Sequence, residues 1–311
     1  MSNIGQITAI LRTDTGRVRG HNEDFVSYWE PPNREAENEN GWLYIVADGV
    51  GGADAGEVAS EMTTQHTIDH YLEHADEENW GQRLLNAMQA ANSDLRQYVL
   101  DRNDNSRMAT TMVAAVLQEN RAYIANVGDS RGYLWRNGRI EQITKDQSLV
   151  AKLVEEGAIT EEEASYHPRR NVILYSLGSE RSPKIDLFEH TLEKGDILFL
   201  CSDGLTRHVT DAEIALTLSE EEPEKATNTL IHKANERGGE DNISVAVIRY
   251  EGETAVAPQK SAPAKTKPLI VTHNAPADVM VLDRPLLWMY TVALGLVQSA
   301  LIFLVWLLLR V

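Results

Sequence analysis

The chain has 311 residues, 42% of them hydrophobic and 24% charged, with a formal net charge of −18. That length holds one large domain or two ordinary ones, with apolar residues enough for a sizeable core. The acidic balance argues against nucleic-acid binding, because few cations are left over to neutralise phosphates. The single cysteine, Cys201, excludes an intrachain disulfide framework and fits a reducing compartment.

The opening MSNIGQITAILRTDTG has neither the basic start nor the long apolar core of a signal peptide. Strand patterns follow at Ile7–Thr13 and Phe25–Trp29, and an apolar run at Trp42–Ala47 ends in Asp48. Glu57–Tyr71 and Leu84–Leu100 have helical periodicity; the second places Leu84, Met88, Ala91, Leu95 and Tyr98 on one face. A meander of short strands comes next, at Thr111–Leu117, Ala122–Val127, Gly132–Trp135 and Arg139–Ile143. Gln147–Glu156 and Glu161–Ala164 look helical and polar. Strands return at Ile185–Thr191 and at Ile197–Cys201, where the thiol is expected to be buried and structural. Helices at Asp211–Leu218 and Pro223–Glu236 precede a last strand, Ile243–Tyr250. Strand clusters separated by helix pairs imply an α+β sandwich, two antiparallel sheets flanked by helices in four layers, over residues 1–250.

Residues 251–284 change character to Pro, Ala and Lys, which predicts a flexible linker. The run Leu286–Leu309 is uncharged and, as a helix, would be about 36 Å long, enough to cross a hydrocarbon core of about 30 Å. A transmembrane helix is therefore expected over 285–310, with Trp288, Tyr290 and Trp306 near its ends. Lys260, Lys265, Lys267 and Arg284 precede the run and only Arg310 follows it. That bias predicts a single-pass protein of the inner membrane, with its main domain in the cytoplasm.

Five short segments put a carboxylate beside Gly or Asn near a strand end: Arg19-Gly-His-Asn-Glu23-Asp24, Ala47-Asp48-Gly49, Gly128-Asp129-Ser130-Arg131, Ser202-Asp203-Gly204 and Gly239-Glu-Asp241-Asn242. Each alone is a plausible turn. Together, unpaired carboxylates on adjacent strand ends would repel one another in a low-dielectric crevice, and divalent cations remove that conflict. Oxygen donors select hard ions, Mg²⁺ or Mn²⁺. Two such ions sharing a carboxylate can lower the pKa of a bridging water, so that hydroxide attacks phosphorus directly and no phosphoenzyme forms.

The ordered set RGHNED (19–24), DGVGGADAGEVAS (48–60), ATTMVAAV (109–116), VGDSRGYL (127–134), CSDGL (201–205) and GGEDNISV (238–245) resembles the metal-dependent protein phosphatases, the type-2C serine/threonine family, in its bacterial branch. The resemblance spans about residues 5–250. It implies that Asp48 bridges two core ions and that the Gly49 carbonyl completes one shell. Glu23 would ligate one ion, and Asp203 and Asp241 the other. Asp129, with Asp203, would form a weaker third site. Asp24 would hold metal-bound water, and Arg19 would clamp the phosphate. Asn242 is expected to support the Asp241 loop. The expected activity is hydrolysis of phosphoserine and phosphothreonine in proteins, opposing a membrane-associated Ser/Thr kinase; the alternative is a catalytically weak sensory or scaffolding member.

Two positions depart from the family pattern. Val50 stands where the eukaryotic branch commonly has a His proposed as general acid, and valine cannot donate a proton. Gln147 stands where bacterial relatives often have His. Residues 147–181 match the family's flap in position and carry His167, Pro168, Arg169 and Arg170; a basic spot beside an acidic site could hold the phosphoprotein chain, but the segment reads first as a solvated loop. His66, His70 and His74 have a spacing that can bind metal. Sequence implies no acidic or Cys partner, so they read as a polar helix face.

Overall fold

The structure is a computed structural model that describes residues 7–51, 55–75, 77, 79–102 and 107–252. Its strands are β1 (Ile7–Asp14), β2 (Asp24–Trp29), β3 (Trp42–Val50), β4 (Ala109–Gln118), β5 (Arg121–Val127), β6 (Arg131–Arg136), β7 (Arg139–Gln142), β8 (Asp186–Thr191), β9 (Ile197–Cys201) and β10 (Ile243–Tyr250). Its helices are α1 (Arg34–Asn40), α2 (Ala55–Glu73), α3 (Trp80–Arg102), α4 (Leu149–Glu155), α5 (Glu161–Ser165), α6 (Asp203–Thr206), α7 (Asp211–Glu220) and α8 (Pro223–Glu236). Two five-stranded sheets form, in the orders β1-β10-β9-β6-β7 and β2-β3-β4-β5-β8. Every pairing in them is antiparallel.

The apolar runs resolve into alternating faces. Along β3, Trp42, Tyr44 and Val46 point between the sheets, where they meet Leu198, Leu200, Ala246 and Ile248. Leu43, Ile45 and Ala47 point outward against Ile68, Tyr71, Leu84 and Met88 of α2 and α3. On the other sheet Phe199, Cys201, Val245 and Val247 face outward onto Ile214, Leu218, Leu230 and Ala234 of α7 and α8. A strand covered on both sides has no polar face, which is why these strands read as unbroken hydrophobic runs. The four-layer order follows directly, and burial pushes the Cys201 thiol up, away from reactivity.

On a strand apolar on both faces, a one-residue slip exchanges the two faces but leaves apolar side chains on each. In the observed register the polar residues fall together at the strand ends, where one hydrogen bond favours this pairing. Asp24 pairs with Asp48, and Asp48 with Thr111, across β2, β3 and β4. The Thr110 hydroxyl donates to the Asp48 carbonyl at 2.8 Å.

The predicted elements are found, with shifts at their ends. The second long helix begins at Trp80 rather than Leu84. Helix α1 was not expected, because REAENEN offers no apolar stripe; the Asn33 side chain caps it by accepting from the Ala36 N–H. Residues 147–181 contain α4 and α5, with capping by Ser148 and a capping box at Thr160. The predicted transmembrane run and the linker from residue 253 onward lie outside the described residues. Among the described residues, no helix is long and apolar enough to cross a membrane.

Candidate active site

The predicted carboxylates come from strand ends of both sheets. Glu23 precedes β2, and Asp24 is its first residue. Asp48 lies near the end of β3, Asp129 in the β5–β6 turn, Asp203 at the start of α6 directly after β9, and Asp241 just before β10. Asp48 feels the charges of Asp24, Asp203, Asp129 and Asp241, and Glu23 feels that of Asp241. All six predicted acids therefore share one crevice.

Close packing builds the crevice wall. The Gly49 N–H donates to the Glu23 carbonyl at 3.0 Å. A Cβ at Gly49 would lie 2.2 Å from the Gly56 carbonyl oxygen and 2.5 Å from that of Glu23, so only glycine lets β3 meet the start of α2 here. Ser60 of α2 donates its hydroxyl to the same Glu23 carbonyl at 2.6 Å.

Asn242 ties the Asp241 loop to the β1–β2 connection, as its expected supporting role requires. Its Oδ1 accepts from the Glu23 N–H at 2.8 Å, and its Nδ2 donates to the carbonyls of Thr15 and His21 at 2.9 and 3.0 Å. Asn242→Ala removes all three bonds from a buried position. It is expected to cost about 2–4 kcal/mol, read as a lower urea midpoint.

The electrostatics are those of a crowded anionic pocket. Burial pushes the Asp24 carboxyl up to about 7, although Ser202 donates to its Oδ2 at 2.7 Å. Burial and the neighbouring Asp203 push Asp129 up to about 8. Asp48 opens partly onto the crevice but is enclosed on its other sides; burial and four neighbouring acids hold it well above the usual carboxylate range. Burial also raises Glu23 and Asp203, against the opposing charges of Arg19 and Arg207. Asp24 Oδ1, Asp129 Oδ1 and Asp203 Oδ1 are buried without a hydrogen-bond partner among the described residues. Unpartnered buried oxygens on an all-carboxylate wall fit hard divalent cations.

Two arginines stand at the rim. Arg19 donates Nη2 to Asp241 at 2.9 Å, and its Nη1 lies 3.8 Å from Glu23. Arg207 donates Nη1 to Asp241 at 3.0 Å and Nη2 to Asp203. Sequence reasoning missed Arg207. Its signal was available: it lies four residues beyond Asp203, one turn along α6, where a guanidinium can reach back to the carboxylate. Gln147 also gains a defined task. Its Oε1 accepts from the Gly128 N–H at 2.9 Å, and its Nε2 donates to Asp186 at 2.9 Å. It thereby braces the turn that carries Asp129. Val50, at the end of β3, is exposed and offers no proton.

The expectation for the three histidines is corrected. His66 and His70 lie on α2, while His74 falls in the turn beyond it. An acidic partner does exist: Asp94 of α3, whose Oδ2 is 2.7 Å from His66 Nδ1 and 2.8 Å from His70 Nε2. Helix–helix packing supplied that partner, which spacing within α2 could not reveal.

The sequence profile of the family described as protein phosphatase 2C matches residues 21–236. The serine/threonine phosphatase stp of Listeria innocua is 42% identical over 248 residues, covering 77% of this chain and 94% of the relative. The solved serine/threonine phosphatase of S. agalactiae is 37% identical with a TM-score of 0.71, over 79% of this chain and all of that one. The catalytic domain of the serine/threonine protein phosphatase PstP, solved in complex with two manganese ions, is 35% identical with a TM-score of 0.66, over 78% and 97% of the two chains. With the same fold, the same order of motifs and identities this high over nearly whole relatives, the chain belongs to the protein phosphatase 2C family and is a serine/threonine protein phosphatase of bacterial type.

Proposed function

We propose that the crevice holds two core Mn²⁺ or Mg²⁺ ions and hydrolyses phosphoserine and phosphothreonine in proteins without a phosphoenzyme. One observation carries this reading: six acids share a crevice in which Asp24, Asp129 and Asp203 each keep a buried oxygen without a partner. The manganese ions named for PstP support the choice of metal. Asp48, Glu23 and the Gly49 carbonyl would hold one ion; Asp48, Asp203 and Asp241 the other; and Asp129 with Asp203 a weaker third. When bound, the ions compensate the crowded charges and supply an activated water as nucleophile.

The chain's own residues do the rest. Asp24, fixed by Ser202, presents its free Oδ1 to the crevice as an acceptor that can hold and orient water. Arg19, 46% exposed, offers paired donors matched to phosphate oxygens. Arg207 balances Asp203 and Asp241 and keeps the α6 carboxylate aimed at the crevice. Val50 cannot protonate the departing alkoxide, so that proton comes from another group.

The test is orthophosphate release from a phosphothreonine peptide. Turnover without accumulation of protein-bound phosphate supports direct hydrolysis. Tight peptide binding without turnover supports the sensory or scaffolding alternative.

The uncharged run Leu286–Leu309 and the basic residues before it support a single-pass anchor, with the phosphatase domain in the cytoplasm. Anchoring raises the effective concentration of the enzyme near membrane-bound substrates, including a membrane-associated Ser/Thr kinase. Deleting residues 285–311 should leave turnover of a soluble phosphopeptide unchanged. In cells it should move the protein out of the membrane fraction and slow dephosphorylation of membrane substrates; unchanged fractionation would rule the anchor out.

A further inference from the structure

The crevice carboxylates are not the side chains most tightly gathered for metal binding. Among the described residues, the group whose ligand atoms already lie within 4.8 Å of one another is His66, His70 and Asp94, on the outer helix pair. We propose that these three residues form a second metal site of different chemistry, a Zn²⁺-class site that staples α2 to α3.

The geometry comes from two helices. His66 and His70 are one turn apart, so both imidazoles project from the same face of α2. Their rings stand at 70° to each other, with centroids 6.3 Å apart. His66 points Nδ1, and His70 points Nε2, at the same oxygen of Asp94. The two nitrogens thus meet at one carboxylate oxygen, which brings two nitrogen donors and one oxygen donor from three side chains within 4.8 Å of one another. Donor atoms around tetrahedral Zn²⁺ sit about 3.3 Å apart. The present separations from Asp94 are 2.7 and 2.8 Å, so each donor need move back by only about half an ångström.

The side chains are free to do so, being 37%, 27% and 38% exposed. A cavity of about 500 Å³, lined in part by His70, His74 and Glu77, opens beside His70. The donors also decide the metal. Imidazole selects Zn²⁺, Co²⁺ or Ni²⁺ over Mg²⁺, which the all-oxygen crevice prefers. The two sites therefore need not compete for one ion.

The consequence is structural. Helix α2 carries Ser60 and Gly56, which pack on Glu23 and Gly49, and a bond between the helices holds that support against the sheet. None of the three ligands lines the crevice, so the staple should act on stability and leave the chemistry alone.

The experiment uses the full chain in excess Mg²⁺, which occupies the crevice, with Co²⁺ and Zn²⁺ added as probes. One equivalent of Co²⁺ is expected to produce the visible absorption of a tetrahedral nitrogen–oxygen site, displaced by Zn²⁺. Micromolar Zn²⁺ should raise Tm by several degrees. His70→Gln and His66→Gln should each remove both signals while keeping phosphopeptide turnover in Mg²⁺. No Zn²⁺-dependent Tm shift would overturn the proposal. So would a Co²⁺ signal that survives both histidine variants but disappears in Asp203→Asn, since that places the ion in the crevice.

Discussion

Asp48→Asn is expected to lower turnover of an aryl phosphate by on the order of a thousandfold or more while the fold is retained. The expectation rests on position. Asp48 feels four neighbouring crevice acids, Asp24, Asp203, Asp129 and Asp241, and its strand is held between Asp24 and Thr111. An amide keeps the shape but loses the charge that two cations would share. The same change should have the opposite effect on stability when divalent ions are removed. Burial and four neighbouring acids disfavour the Asp48 carboxylate, and Asn carries no such penalty. The metal-free variant should therefore unfold at a higher urea concentration than the metal-free parent. Lost activity together with a more stable metal-free state identifies a residue kept for function at a cost in stability. Lost activity with lost stability would instead indicate a structural residue.

The second large effect is on the pH dependence of stability in chelator. Unfolded aspartates titrate near 3.8, whereas in the folded crevice Asp24 is raised to about 7 and Asp129 to about 8. Raised carboxyls mean that the folded state binds more protons than the unfolded one between those values. Stability is then fully present near pH 4 and is lost as pH rises through 7 and 8. Each extra proton contributes a slope of about 1.4 kcal/mol per pH unit. The metal-free protein should thus be less stable at pH 8 than at pH 5.5, by several kcal/mol in order of magnitude. Saturating Mn²⁺ or Mg²⁺ should remove most of that slope, because cations replace protons as the compensating charge. At still lower pH the trend should reverse, since Asp94 and Glu213 are held below the usual carboxylate range by their His and Arg partners. A flat profile between pH 5.5 and 8 in chelator would mean that the acids do not share one low-dielectric crevice.

Much of this arrangement could be read from the sequence because its components are local. Apolar runs such as Trp42–Ala47 identify buried strands, and Asp-Gly pairs mark where those runs end. Their ordered set then identifies the family and, through it, each acid. Contacts between distant segments could not be read this way. Arg207 matters because α6 places it over Asp241, 34 residues away. Gln147 looked like a lost histidine until its bond to the Gly128 N–H showed it bracing the Asp129 turn. His66 and His70 looked like a polar face because Asp94 lies on the next helix. Helix α1 was hidden for a different reason: it is short and polar, and its capping by Asn33 leaves only a weak pattern.

The most direct measurement of the central claim is phosphate release from a phosphothreonine peptide as Mn²⁺ is titrated into chelator-treated protein, for the parent and for Asp48→Asn. The crevice reading predicts no turnover without metal, recovery in the parent as Mn²⁺ rises, and almost none in the variant at any concentration. Full activity in chelator, or recovery by Asp48→Asn to the parent's rate, would contradict it.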